Sequence, residues 1–165
     1  MGDNRRRSWW RSIPPLAGDQ EPRLAAPRIR ATFEAFKSSG LFLPDWYTAT
    51  YPDIVEAKVN PLWHFLEVGW KEGRRPNPFF DPQWYLAKNP AVASAGMNPL
   101  VHYWRLGESQ NCQPCAIFET EWYRSTYAAE IGSGSPLAHY LASRHLRRFS
   151  PNRYFDVQFY LEQNP

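Results

Sequence analysis

Cysteine is nearly missing from this chain, with only Cys112 and Cys115 among 165 residues. Two are too few for a disulfide framework, and a reduced compartment fits. Long apolar runs are missing as well. No stretch approaches the ~18 residues of a membrane span. Met1 to Arg11 is basic with no apolar stretch behind it, so a secretory signal is not expected and a cytoplasmic location is. Charge of one sign is absent from most of the chain. Residues 1–30 hold seven Arg against Asp3, Asp19 and Glu21, whereas residues 31–165 come out at −1 within a total of +3. The body therefore offers no electrostatic footprint for nucleic acid. The basic tail is the one segment with a charge suited to membrane contact, and its composition reads more simply as solvated and disordered. Strict apolar–polar alternation is also lacking, so strands are not expected.

Aromatic residues and proline are abundant, with 8 Trp, 9 Tyr, 10 Phe and 16 Pro. Most fall at fixed places in a repeat. Trp46-Tyr47, Trp84-Tyr85, Trp122-Tyr123 and Phe159-Tyr160 hold one equivalent slot, spaced 38, 38 and 37 residues apart. Asn60-Pro61-Leu62, Asn98-Pro99-Leu100 and Ser135-Pro136-Leu137 hold a second slot, and His64, His102 and His139 a third. A period in this range marks supersecondary units that bury their apolar faces on one another.

The expected fold is all-α, made of stacked short helical hairpins in a solenoid-like array after a disordered basic tail. The tail covers 1–29 and a capping helix 30–40. The repeat array covers 41–165, as units 41–79, 80–117, 118–154 and a partial fourth at 155–165, which reads as part of a longer protein. In the second unit, Asp81-Pro82 starts a first helix over Pro82 to Lys88, which Asn89-Pro90 stops. Asn98-Pro99 starts a second helix over Pro99 to Leu106, closed by Gly107. Leu100, Tyr103 and Trp104 fall at i, i+3 and i+4, and Leu62, Phe65, Leu66 and Leu137, Tyr140, Leu141 keep that stripe. Phe80 and Trp84, four apart, are expected to stack.

Three phrases carry a family likeness: Phe80-Asp81-Pro82-x-Trp84-Tyr85-Leu86-x-x-Asn89-Pro90, Asn98-Pro99-Leu100-x-His102-Tyr103, and Gly69-Trp70-Lys71-Glu72-Gly73-Arg74-x-Pro76. Together they resemble a helical repeat that accompanies bacterial glycosyltransferases. The resemblance spans about Leu41 to Pro165. It implies a place beside a transferase domain, in cis or in trans, in surface-polysaccharide biosynthesis. Repeats two and three depart from it after the second helix, where Gly73-Arg74 becomes Asn111-Cys112 and then Arg148-Phe149.

The transferase chemistry itself wants an Asp-x-Asp metal motif or a Gly-x-Gly-x-x-Gly nucleotide loop, and the sequence has neither. Gly132-Ser133-Gly134-Ser135 is a turn before a helix and not a nucleophile elbow. No catalytic residue and no cofactor is assigned. The expected role is a non-catalytic module that positions a transferase or binds glycan or a partner, with a protein-interaction scaffold of the tetratricopeptide kind as the alternative. Trp63, Trp70 and Trp104 do not recur in register, which nominates them as surface platforms for sugar rings. Arg74 and Arg75, in the basic turn Lys71 to Arg75, are nominated for acidic or phosphate groups. Cys112-Gln113-Pro114-Cys115 has the spacing of half a zinc site, yet no second pair completes it, and ordinary thiols are expected. The repeated His are read as structural, each bonded to a neighbouring backbone group.

Overall fold

The computed structural model describes residues 27–164, so most of the basic tail lies outside the described residues. The fold is all-α. The helices are α1 (Pro27–Lys37), α2 (Pro44–Thr50), α3 (Pro52–Glu56), α4 (Pro61–His64), α5 (Pro82–Lys88), α6 (Pro90–Ser94), α7 (Pro99–His102), α8 (Thr120–Thr126), α9 (Ala128–Ile131), α10 (Pro136–Ser143) and α11 (Val157–Gln163). Among the described residues the only β pairing is an isolated bridge between Cys115 and Phe118. No described helix is long and apolar enough to cross a membrane.

Short helices start where the local chemistry dictates. Asp81 Oδ1 accepts from the amides of Gln83 and Trp84, Asn60 Oδ1 from Trp63, and Ser135 Oγ from Ala138. Pro follows each cap at the first helical position, where its missing N–H costs nothing. Four or five residues of helix are marginal alone, so packing supplies the rest. At the first helix of each unit, the residue before the N-cap folds onto the fourth helical residue as a hydrophobic staple. Phe42 meets Tyr47 at 5.1 Å, Phe80 meets Tyr85 at 5.4 Å and Phe118 meets Tyr123 at 5.0 Å between ring centroids. The expected Phe80–Trp84 stack is thus replaced by Phe80–Tyr85, because Phe80 precedes the helix and helical i, i+4 geometry does not apply to it. Trp84 instead lies half-buried under the Lys88 ammonium.

The second helix of units one and two also differs from expectation. After α4 and α7 the backbone widens into π-helical turns, Phe65–Gly69 and Tyr103–Gly107. Gly107 lies inside the turn rather than capping it, and Asn111 takes the left-handed conformation at φ 56°. In unit three the helix stays regular to Ser143 and ends in a 3₁₀ turn with Arg147 at φ 53°.

Backbone bonds close each unit on itself. Leu43 N donates to Pro76 O, Asp81 N to Pro114 O, and Glu119 N to Pro151 O, at 3.0–3.1 Å. Buried Asn77 reinforces the first closure. Its Nδ2 donates to Leu41 O at 2.7 Å, and its Oδ1 accepts from Phe79 N at 2.8 Å. Asn152 does the same for unit three through Ile117 O and Tyr154 N. Unit two has Cys115 at this place, which leaves its closure without the amide bond. Asn77→Ala is expected to cost about 2 kcal/mol, because it orphans a buried carbonyl and amide; chemical denaturation measures it, and a loss under about 0.5 kcal/mol refutes it.

One apolar cluster runs through the units, from Phe33 to Phe149. Helix α1 and the turn after it reach all three units. Phe33 packs edge-on to Trp63, Phe36 tilts on Trp104 at 5.1 Å, and a Cβ added to Gly40 just past α1 would come within 3.3 Å of Ala138. Phe79 packs edge-on to Tyr140 at 4.8 Å, so the junction of units one and two meets unit three.

Candidate functional site

The three repeated histidines lie beside tyrosines, His64 buried and His102 and His139 half-buried. Tyr47 Oη is 2.9 Å from His64 Nδ1, Tyr85 Oη is 2.8 Å from His102 Nδ1, and Tyr123 Oη is 2.8 Å from His139 Nδ1. The expected backbone partner is therefore replaced by a phenol on the first helix of the same unit. A recurring Tyr–His spacing of 17, 17 and 16 residues was the signal available in the sequence. Burial shifts five of these six groups toward the neutral form. It pushes the three tyrosines far above their ordinary range, lowers His64 to about 4 and lowers His102 as well. In unit one Glu72 Oε2 lies 3.8 Å from His64 Nε2, which favours the proton there and leaves Nδ1 to accept from Tyr47.

These pairs are clasps between helices. The π-helical turns press Gly69 and Gly107 against them: an added Cβ would stand 2.4 Å from Tyr47 Oη and 2.2 Å from Tyr85 Oη. No room is left there for a reacting molecule. His64 is 3 % exposed. Around the first clasp, Arg74 donates from both terminal nitrogens to Asp53, from Nε to Glu72, and lies over the Tyr51 ring at 5.0 Å. Arg75 pairs with Asp81, and its amide donates to Tyr51 Oη. Both nominated arginines are thus engaged within the fold.

The nominated tryptophans fall in two places. Trp63 and Trp104 are half-buried against α1. Trp70 stands on the wall of a groove of about 310 Å³ between units one and two. Leu66, Glu67 and Lys71 line it from unit one, Asn98, Val101 and Arg105 from unit two, and Thr32 from α1. The groove follows from the π-helical turn, which carries Leu66 and Glu67 and delivers Trp70 just after it. Asn98 ties the walls together, with Nδ2 donating to Leu66 O at 3.2 Å while Oδ1 caps α7. The Lys71 ammonium lies 5.5 Å over the Trp70 ring, and Arg105 lies 5.8 Å over Trp104 and reaches Thr32 Oγ1. Arg105 carried no signal in the sequence, since its place in the groove depends on how unit two meets α1.

Cys112 is half-buried with Sγ 3.6 Å from Asn89 Oδ1, and Cys115 is buried, with desolvation raising its thiol. Among the described residues no three His, Cys, Asp or Glu side chains gather as a metal site. No protein-family model matches the chain, no curated protein matches it, and no solved structure matches it.

Proposed function

We propose that the chain is a non-catalytic helical repeat module of stacked hairpins about 38 residues long, of the kind that accompanies bacterial glycosyltransferases, and that it holds glycan for a transferase. The observation that carries the reading is the groove around Trp70. A half-buried indole offers a flat face for the apolar side of a sugar ring, and it is flanked by Lys71 and Arg105 from two different units. Two cations beside an aromatic face suit a saccharide bearing carboxylate or phosphate. The volume of about 310 Å³ falls at the lower end of the ~300–1,000 Å³ usual for small-ligand sites.

Calorimetric titration with acidic and neutral oligosaccharides tests this. Acidic oligosaccharides are expected to bind saturably, with affinity falling at higher salt. Trp70→Ala is expected to weaken binding about tenfold or more, and Arg105→Ala to remove much of the salt dependence. Indifference to every sugar, in a chain whose thermal unfolding is unchanged, overturns the reading.

A further inference from the structure

One carboxylate, that of Glu67, lines the groove beside Trp70 together with the cations Lys71 and Arg105. Glu67 is half-buried, and among the described residues its carboxylate has no hydrogen-bond or ion-pair partner. A carboxylate only accepts, so it calls for donors. The next junction along the chain shows which donors such a place recruits. Glu108 holds in unit two the position that Trp70 holds in unit one. Its Oε1 accepts from Tyr103 Oη at 3.1 Å, from Ser135 Oγ at 2.6 Å and from Leu137 N at 3.4 Å. Two hydroxyls and an amide, all from the protein, thus satisfy the carboxylate between units two and three. Between units one and two no described protein group does this for Glu67, so its donors come from solvent or from a ligand.

The two cations also keep donors in hand. The Lys71 ammonium rests over the Trp70 ring, and Arg105 gives one N–H to Thr32 Oγ1 at 3.4 Å while its guanidinium lies over Trp104. Among the described residues neither cation is paired with a carboxylate. Lys71 and Arg105 against Glu67 leave the groove a formal charge of +1. We propose, resting on the glycan reading above, that Glu67 makes the groove selective for hexuronic acids, sugars whose ring bears one carboxylate and free hydroxyls. The ring lies on Trp70, the carboxylate meets the Arg105 fork, and neighbouring hydroxyls donate to Glu67. A phosphate monoester carries a charge of about −1.5 to −2 at pH 7. It exceeds the single positive charge of the groove and is repelled by Glu67.

The probes are three oligosaccharides built on the same glucose ring, with a carboxylate, a phosphate or a hydroxyl at C6, each titrated calorimetrically into the full chain. The uronate is expected to bind about tenfold more tightly than the phosphate, the effect of one charged contact, and more tightly than the neutral parent. Glu67→Gln keeps the side chain's shape and removes its charge. Its thermal unfolding is expected to match that of the unsubstituted chain, since no contact within the fold is lost. It is expected to raise affinity for the phosphate about tenfold and to lower affinity for the neutral parent about threefold, because an amide oxygen is the weaker acceptor. A general change of charge leaves the neutral sugar unmoved, so the two opposite shifts identify direct acceptance of hydroxyls. Equal binding of phosphate and uronate by the unsubstituted chain overturns the selectivity, as does a ratio between them or a neutral-sugar affinity that Glu67→Gln does not move. If Trp70→Ala still weakens both acidic sugars in that case, the glycan reading stands without it. Failure of all three sugars to bind overturns the inference together with the glycan reading.

Discussion

Gly69→Ala is expected to destabilise the protein by about 3 kcal/mol. The added carbon would lie 2.4 Å from Tyr47 Oη and 3.1 Å from His64 Nδ1, inside a bond that is itself 2.9 Å long. Neither ring is a flexible tip: Tyr47 is wedged between Phe42, Tyr51 and Phe65, and His64 sits on a helix end. The clasp must open, which combines an overpacking cost of about 1–3 kcal/mol with a lost buried hydrogen bond of about 1–3 kcal/mol. A total of about 3 kcal/mol corresponds to a Tm drop of roughly 10 °C in a domain of this size. Gly107→Ala should behave alike, since its Cβ would stand 2.2 Å from Tyr85 Oη. Gly96→Ala is the control. Nothing lies within 4 Å of its Cβ, and only the positive φ of 59° penalises it, by about 1 kcal/mol. Calorimetric scans of the three variants decide the matter; equal Tm shifts for all three would remove the clasp from the account.

Acid should loosen the fold through His64. His64 has a folded value of about 4 against 6.5 when free, because burial and the nearby Arg74 disfavour its cation. Between those values the unfolded chain binds a proton that the folded chain refuses, so stability rises with pH across the window. The contribution is complete above about pH 6.5 and is lost as pH falls toward 4, an expected loss of about 3 kcal/mol. His102 shifts in the same direction and adds to the slope. Asp53, held below its ordinary value by its bonds to Arg74, stays ionised through this window and does not account for the loss. Urea midpoints at pH 7, 5.5 and 4 are expected to fall by about 1–2 M. His64→Gln should be less stable at pH 7 yet flatter below it. A midpoint that holds constant from pH 7 to 5 refutes the mechanism.

The parts of this structure legible in the sequence are those fixed by neighbours along the chain. Asp81, Asn98 and Ser135 cap helices because cap, proline and amide all lie within three residues. The apolar stripe Leu62, Phe65, Leu66 located the second helix in unit one. The same stripe concealed the π-helical turn, since Phe65 and Leu66 already lie in the widened backbone and yet keep the helical spacing from Leu62. Gly107 accordingly read as a helix stop, although its lack of a side chain serves Tyr85. The Tyr–His clasps needed the hairpin's closure, which no local rule supplies across 17 residues. For the groove, Trp70 stood out because it does not recur, while Arg105 gained its place only when unit two packed against α1.

The backbone closures from Leu43 to Pro76, Asp81 to Pro114 and Glu119 to Pro151 have a consequence for how such a chain changes through descent. Each unit leaves the fold beside the point at which it entered, so its two ends are already neighbours. Cutting between Phe79 and Phe80 and again between Ile117 and Phe118 removes a whole unit whose ends lie together, and a copied unit fits the same cuts. Gains and losses in a lineage should therefore come in whole multiples of one unit, while a change of ten or twenty residues breaks a closure and is purged.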